Sequence, residues 1–201
     1  WLIKILEIVK FLTFNLNMFK PKKILRLFKP SVGREEIAAI KKVFKQSWLG
    51  YGSEVKKFEK KFSNFIGSKY SVSCNSGTDA LILSLRALNI GHGDEVITTP
   101  FTYFATAEAI VLVGAKPVFV DIEPITFNMD PRKLENVITG KTKAIIVVSL
   151  YGHMADYDKI NEIANKYNIP VIEDGAQSFG ATYKNQKSCS MTPISTTSFF
   201  P

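Results

Sequence analysis

The sequence contains little cysteine. Only Cys74 and Cys189 occur among 201 residues, and no Cys-x-x-Cys pair or Cys/His cluster accompanies them. A disulfide framework or a zinc site is therefore not expected, and we predict that the protein binds no metal. Sparse, unpaired cysteines are the default in a reducing compartment, which favours a cytoplasmic location.

Long apolar runs are also missing. In the apolar first twenty residues the longest uncharged run, Phe11 to Phe19, has nine residues, whereas a membrane-spanning helix needs about 20. The small-residue cleavage site of a secretory signal is absent as well. We expect residues 1–28 to be a basic, apolar leader outside the fold. The leader could rest on an anionic membrane surface, or Met18 could be the true start, with residues 1–17 adventitious.

The body of the chain lacks a charge excess of either sign. The whole chain has 26 Lys+Arg and 18 Asp+Glu, a net charge of +8. Residues 1–34 hold eight basic side chains and one acidic one, which accounts for +7 of that charge. A nucleic-acid-binding domain would carry its basic surface on the folded body, so we expect no nucleic-acid partner.

The remaining composition is that of a globular protein. Hydrophobic residues make up 46% and charged residues 22% of the chain, which excludes disordered, collagen-like and coiled-coil classes. Two amphipathic helices are predicted first, in REEIAAIKKVFKQS and SEVKKFEKKFSNFIG, and Gly67 is a natural stop for the second. Their apolar positions at helical spacing are Ile37, Ile40 and Phe44, then Val55, Phe58, Phe62 and Phe65.

Short apolar runs and helical segments then alternate. The predicted strands are YSVSCN, EVITTP, PVFVD, KAIIVVS and PVIED, and helical segments such as TDALILSLRAL and DYDKINEIANKYN separate them. A continuous run such as AIIVV is typical of parallel strands that are buried on both faces. The pattern predicts an α/β fold, with a mostly parallel sheet and helices on both faces. Ligands bind such sheets at the carboxyl ends of the strands.

The first strand end, CNSGTDAL, combines a glycine with three capping side chains. Asn75, Ser76 or Thr78 could cap the following helix, and Gly77 lets the backbone approach a ligand. Free N–H groups at the helix start and a hydroxyl would form an anion site. A plain helix cap is the simpler interpretation of this motif alone. We expect Cys74, at the same strand end, to be a small buried side chain.

Two further strand ends carry candidate ligand-binding groups. In TTPFTYFATAEAI, Phe101, Tyr103 and Phe104 could pack in the core, or one of them could stack on a flat heterocycle. In VIEDGAQSFG, Glu173 and Asp174 end a strongly apolar run, where a carboxylate is costly unless it has a partner. Such a carboxylate could hold Mg²⁺, cap a turn or pair with a cationic ring nitrogen, and Gln177 could reach the same ligand.

The order and spacing of these motifs resemble a known family. GTDAL, PFTYFATAEAI, VIEDGAQSFGA and TSFFP resemble the DegT/DnrJ/EryC1/StrS sugar aminotransferases, which use pyridoxal 5'-phosphate (PLP), and KPSVGREEI and WLGYGSEVKKFEKKF resemble the opening of that family. The resemblance runs from Lys29 to Pro201. It implies that residues 29–201 form the PLP-binding large domain of fold type I, truncated at its C-terminal end.

The resemblance implies a role for each candidate residue. The phosphate of PLP would be bound by Gly77, Thr78 and Ser198. The pyridine ring would stack on Tyr103, its nitrogen would pair with Asp174, and its hydroxyl would contact Gln177. The Asp174 carboxylate would keep the ring nitrogen protonated, so that the ring can act as an electron sink.

The sequence departs from the family pattern at the Schiff-base lysine. In the family this lysine follows the SFFP element after one further residue, which corresponds to position 203, beyond Pro201. We therefore expect that the chain contains no catalytic residue and is inactive by itself. Whether position 203 is Lys, or the His that some dehydrating relatives have, stays open.

The leading hypothesis is that the chain is part of an enzyme that transfers an amino group from glutamate to a keto group of a nucleotide-linked sugar, in cell-surface polysaccharide or related sugar biosynthesis. The ending KSCS…TTSFFP is similar to members that act on UDP-linked 3-keto hexuronates, and the parent protein would be a homodimer. The alternative is a non-catalytic, ligand-binding remnant of the fold. A doubly wound nucleotide-binding module ranks last, because the sequence has neither G-x-G-x-x-G nor a P-loop.

Overall fold

A computed structural model describes residues 30–46 and 48–199. The predicted leader, residues 1–28, lies outside this range, so its dispensability to the fold stays a prediction. The chain divides into two compact units, Trp1–Lys45 with Pro201, and Gln46–Phe200. In the first, helix α1 (Arg34–Lys45) confirms the first predicted helix, with acidic residues in its first turn and basic residues in its last, as the helix dipole favours.

The second unit contains a five-stranded parallel sheet. Its strands are β1 (Glu95–Thr98), β2 (Lys116–Phe119), β3 (Thr142–Val148), β4 (Val171–Asp174) and β7 (Ile194–Thr196), in the order β2-β1-β3-β4-β7. Ile145 pairs with Ile97 on one side and with Val171 on the other, which places β3 at the centre. A separate antiparallel hairpin joins β5 (Thr182–Tyr183) to β6 (Gln186–Lys187). The predicted α/β fold with a parallel sheet is confirmed.

Helices of this unit precede or connect the strands. They are α2 (Ser53–Ile66), α3 (Gly77–Ala87), α4 (Ala105–Leu112), α5 (Pro131–Leu134) and α6 (Tyr157–Lys166). Helix α2 ends as predicted at Gly67, whose φ of 82° is left-handed and whose N–H donates to the Ser63 carbonyl at 2.9 Å. The last turn of α2 is therefore closed by the residue type that adopts this conformation without strain.

Alternate residues of the central strand face two separate apolar clusters. One cluster contains Ile145 and Val147 of β3, together with Tyr157 and Ile160 of α6. The other contains the intervening Ala144 and Ile146, together with apolar residues of α3 and α4. Since both faces of the sheet are covered, the central strand β3 is apolar from Ala144 to Val148, and this is why the sequence shows it as a continuous run.

The strand predicted in YSVSCN is wrong, because residues 70–75 form no strand in the structure. Their polar groups bond to helix α2 instead. The Ser73 N–H and Oγ donate to Glu59 Oε1 at 2.8 and 2.9 Å, and the Ser71 hydroxyl donates to the Glu59 carbonyl. The apolar residues of the run, Tyr70 and Val72, are exposed. Cys74 is also exposed, so the prediction that it is buried is wrong.

Among residues 30–46 and 48–199, none of the helices combines the length and the apolar character that crossing a membrane requires.

Candidate functional site

The site forms where the parallel strands end. Strands β1, β3, β4 and β7 run in the same direction, so the residues that follow them meet at one edge of the sheet. Asp174 ends β4 and pairs in register with Thr196 of β7. The segments after both strands, which contain Gln177 and Ser198, therefore begin side by side.

The start of helix α3 lies beside the Ser198 side chain. Ser76 is the N-cap, and its Oγ accepts a hydrogen bond from the Asp79 N–H at 3.1 Å. A Cβ added to Gly77 would lie 2.9 Å from the Ser198 Cβ and 3.3 Å from the Ser198 Oγ. The first N–H groups of a helix lack intrahelical acceptors and attract anions. Folding thus places a seryl hydroxyl beside the helix start, where only glycine fits, and half-buried Thr78 follows directly.

Asp174 is a buried carboxylate at the end of β4, with an exposed fraction of 4%. Its Oδ2 accepts a hydrogen bond from the Thr106 hydroxyl at 3.0 Å, and its Oδ1 accepts one from the Ala176 N–H at 3.2 Å. Burial raises the pKa of Asp174, and these two hydrogen bonds oppose the rise only in part. A cationic partner would stabilise the ionised form of this buried carboxylate.

Thr106 is a site residue that the sequence reasoning missed. It lies in the first turn of α4, is 1% exposed, and its hydroxyl also lies 3.0 Å from the Thr102 hydroxyl. The two threonines and Asp174 thus form one hydrogen-bonded chain. A threonine near a helix start has an ordinary capping explanation, so no pattern in the sequence could connect it to Asp174.

Glu173, the neighbouring carboxylate, has a structural role. Its Oε1 accepts hydrogen bonds from the Cys189 N–H at 2.7 Å and the Ser188 Oγ at 3.1 Å, and its Oε2 accepts one from the Met191 N–H at 3.0 Å. Adjacent residues of a strand point to opposite faces of the sheet. Glu173 therefore holds the loop before β7, while Asp174 faces the side of α4.

Three aromatic residues precede helix α4, and none of them is buried. Tyr103 and Phe104 are each 72% exposed, and Phe101 is 44% exposed. The core-packing interpretation of these rings is therefore wrong. The apolar face of α4 is supplied instead by Ala109 and Ile110. Tyr103 follows β1 and is exposed, so a flat ligand could stack on its ring, and this role stays a prediction.

Gln177 lies on the surface three residues after Asp174, and its Oε1 accepts a hydrogen bond from the Tyr151 N–H at 2.9 Å. Tyr151 follows β3, the central strand, so this bond joins two strand ends. His153, two residues after Tyr151, is exposed and hydrogen-bonds to Asn128.

The chemical groups at this edge of the sheet fit PLP. A helix start with a seryl hydroxyl suits a phosphate, a buried carboxylate of raised pKa suits a cationic ring nitrogen, and an exposed aromatic ring suits a flat heterocycle. We call the pair Gly77 and Ser198 at the start of helix α3 the cradle. It exists only in the folded chain, because helix α3 and the segment after β7 bring the two residues together.

The parallel sheet with both faces covered, and a site at its carboxyl edge, is the architecture of fold type I aminotransferases. The profile of the DegT/DnrJ/EryC1/StrS aminotransferase family matches residues 30–201. The chain therefore belongs to this family, as the order of its motifs predicts, and the family uses PLP.

Relatives of known name are similar over most of this chain. The UDP-2-acetamido-2-deoxy-3-oxo-D-glucuronate aminotransferase of Pseudomonas aeruginosa is 56% identical over 164 residues, which cover 82% of this chain and 46% of the relative. The GDP-perosamine synthase of Caulobacter vibrioides is 48% identical over 155 residues, which cover 77% of this chain and 42% of the relative. The chain thus spans about half the length of the curated relatives it matches.

Solved structures agree with the fold. A putative sugar aminotransferase from Streptococcus pneumoniae, in its PLP form, superimposes with a TM-score of 0.85 at 35% identity, over 89% of this chain and 49% of that one. An aminotransferase from Psychrobacter cryohalolentis gives a TM-score of 0.82 at 42% identity, over 85% of this chain and 44% of that one.

Proposed function

We propose that this chain forms the PLP-binding part of an aminotransferase that transfers the amino group of glutamate to a keto group on a nucleotide-linked sugar. The observation that carries the proposal is the cradle at the carboxyl edge of the sheet, where Gly77 and Ser198 meet beside helix α3. The Pseudomonas relative supports a UDP-linked 3-keto hexuronate as the substrate. We further propose that the protein acts in the cytoplasm as a homodimer.

In this proposal the phosphate is held mainly by the backbone. The N–H groups at the start of α3 donate to it, and the hydroxyls of Thr78 and Ser198 add side-chain donors. Phosphate oxygens are acceptors with negative charge, and such charge-assisted hydrogen bonds are shorter and stronger than neutral ones. The residue at position 77 must be glycine for Ser198 to approach this closely, so the cradle depends on both residues.

Asp174 would hold a proton on the ring nitrogen of PLP. Among residues 30–46 and 48–199, its buried carboxylate accepts hydrogen bonds from Thr106 and Ala176 and forms no ion pair. An ion pair with the pyridinium would lower the pKa of Asp174 and raise that of the ring nitrogen. When it is bound, PLP supplies an electron sink, and its strength depends on this proton.

The remaining side chains orient the ring. Thr106 fixes one oxygen of Asp174, so the carboxylate keeps one orientation. Tyr103 provides a face for stacking, and offset aromatic pairs add about 0.5–1.5 kcal/mol beyond the area they bury. Gln177 would contact the ring hydroxyl from the neighbouring strand end.

The test is Asp174→Asn with pyridoxamine 5'-phosphate (PMP) labelled with ¹⁵N in the ring. PMP carries its own amino group, so its binding needs no lysine. Asparagine fits the native hydrogen bonds: its Oδ1 accepts from the Ala176 N–H, and its Nδ2 donates to Thr106, whose proton turns toward Thr102. The substitution therefore removes the charge and leaves the fold intact.

We expect the ring-nitrogen pKa of bound PMP, measured from its ¹⁵N chemical shift, to be lower in Asp174→Asn than in the wild type. Asp94→Asn is the matched control, since Asp94 precedes β1 at the opposite end of the sheet and accepts a hydrogen bond from the Gly91 N–H. An equal ring-nitrogen pKa in the wild type and Asp174→Asn would remove Asp174 from the site. A wild-type chain that does not bind PMP would contradict the proposed PLP site.

A further inference from the structure

The turn after the central strand β3 has an unusual backbone. Tyr151 has a φ of 54° and Gly152 a φ of 83°, so two consecutive residues are left-handed. This region is unfavourable for a residue with a Cβ, and tyrosine rarely adopts it. Tyr151 as a whole is 75% exposed, so burial of its side chain does not hold the backbone in place. Another contact must maintain the conformation.

Asn128 supplies that contact from the loop before helix α5. Its side chain is buried, its Oδ1 accepts a hydrogen bond from the Leu150 N–H at 3.0 Å, and its Nδ2 donates to the His153 carbonyl at 2.9 Å. The His153 N–H also donates to the Leu150 carbonyl at 2.9 Å. One buried amide thus holds both ends of the turn from Leu150 to His153, and the two left-handed residues lie between its anchors.

The turn makes a single polar contact to Gln177, from the Tyr151 N–H to Gln177 Oε1 at 2.9 Å. A backbone N–H can only donate, so the atom that faces it must be the amide oxygen. This bond fixes which end of the Gln177 amide is the oxygen. The nitrogen, with its two donor hydrogens, is then the end that remains for a ligand.

We infer that the Leu150–His153 turn is a positioning element that makes Gln177 present a hydrogen-bond donor, selecting a cofactor ring with an anionic oxygen. The inference rests on the proposed function, since that ring oxygen belongs to PLP or PMP. An unanchored glutamine amide can rotate and present its oxygen, which would repel the ionised ring hydroxyl. The left-handed backbone at Tyr151 is what directs its N–H to Gln177, and Asn128 maintains it.

The first test compares Gly152→Ala with Gly93→Ala. Both glycines are left-handed, with φ of 83° and 91°, but Gly93 lies before β1 at the other end of the sheet and a Cβ there would meet nothing within 4 Å. At Gly152 the nearest atom, the Gln177 carbonyl oxygen, would lie at an ordinary 3.6 Å. Both variants place a residue with a Cβ in a left-handed conformation, so both should lose a similar amount of stability. Their unfolding midpoints should therefore fall by similar amounts.

PMP affinity separates the two variants. We expect Gly152→Ala to bind PMP about tenfold more weakly than the wild type, which corresponds to about 1.4 kcal/mol, and Gly93→Ala to bind it normally. A PMP analogue that has hydrogen in place of the ring hydroxyl should bind Gly152→Ala and the wild type alike. A general loss of structure would reduce the affinity for both ligands equally. The difference between the two affinity changes therefore reports the orientation of the Gln177 amide.

A second variant covers the case in which Gly152→Ala does not fold. Gln177→Glu keeps an oxygen for the Tyr151 N–H but replaces the donor with a carboxylate oxygen. We expect it to bind PMP at least tenfold more weakly and to discriminate less between PMP and the analogue, whereas Gln186→Glu, in the exposed hairpin strand β6, leaves both affinities unchanged.

Two results would overturn the inference alone: wild-type PMP affinity in the folded Gly152→Ala variant, or losses of equal size for PMP and the analogue in Gln177→Glu. A wild-type chain that binds neither ligand would overturn the proposed cofactor site, and the inference with it.

Discussion

Alanine at position 77 probes the phosphate cradle, because the added Cβ would lie 2.9 Å from the Ser198 Cβ. Carbon atoms in contact normally lie about 3.5–4.0 Å apart, so roughly 0.6–1.1 Å must be recovered by movement. The Cβ of Ser198 is fixed to its backbone and cannot rotate away. The whole segment after β7, or the start of helix α3, must therefore shift.

Two opposing effects set the size of the loss. Overpacking of this kind costs about 1–3 kcal/mol. Alanine is favoured over glycine inside a helix by about 0.8–1.0 kcal/mol, and by less in the first turn, where Gly77 lies. The steric effect is larger, so we expect Gly77→Ala to lower the free energy of unfolding by about 1–2 kcal/mol.

Urea unfolding of four chains measures this effect: the wild type, Gly77→Ala, Ser198→Gly and the double variant. Removing the Ser198 Cβ should relieve the clash, so we expect a coupling free energy between the two sites equal to the steric cost, about 1–3 kcal/mol. Gly140→Ala is the control, because a Cβ at Gly140 would meet nothing within 4 Å.

PMP affinity should behave differently from stability in this series. The double variant regains stability, but it lacks the Ser198 hydroxyl, so its affinity stays below that of the wild type. A coupling free energy near zero, or a Gly77→Ala variant as stable as Gly140→Ala, would show that Gly77 and Ser198 are not in contact and would refute the cradle.

Two further predictions concern carboxylates outside the ligand site. Glu173→Gln should lower the free energy of unfolding by about 1–3 kcal/mol in urea, because either orientation of the amide leaves the Cys189 or the Met191 N–H facing a donor; an unchanged midpoint would contradict this. Asp130 is buried, and the Arg132 guanidinium lowers its pKa, so its ionised form stabilises the fold above its unfolded pKa of about 3.9. This stabilisation is lost as the pH falls through the lower folded pKa, and the stability gap between the wild type and Asp130→Asn should therefore shrink in acid; a constant gap between pH 7 and pH 3 would show that the ion pair is unimportant.

Local features of the sequence were sufficient to predict most of the secondary structure. A strand with both faces covered must be apolar throughout, so the run from Ala144 to Val148 identifies β3 without knowledge of its neighbours. Helix α2 was equally visible, since its apolar spacing and Gly67 are properties of the helix itself. The strand prediction for YSVSCN failed because serines of this segment hydrogen-bond to Glu59, a partner that no local pattern reveals.

The candidate site could be predicted only as a set of separate motifs. Four motifs in a fixed order indicated the family, since each motif follows a strand or begins a helix at the edge where ligands bind. The residue pattern alone could not distinguish Glu173 from Asp174, which are adjacent and equally acidic, and only the family resemblance assigned Asp174 to the ring nitrogen. The two carboxylates lie on opposite faces of the sheet. Glu173 accepts hydrogen bonds from three donors of the loop before β7, and Asp174 accepts one from Thr106.

The amino-acid order by itself determined most helices and the central strands of this protein, because these elements depend on residues close in sequence. Chain packing alone brought Gly77 against Ser198, Thr106 to Asp174 and the Tyr151 amide to Gln177. Each of these contacts depends on which strands are neighbours and on their register. Strand order and register minimise the free energy of the whole sheet, so no short segment contains the information that sets them.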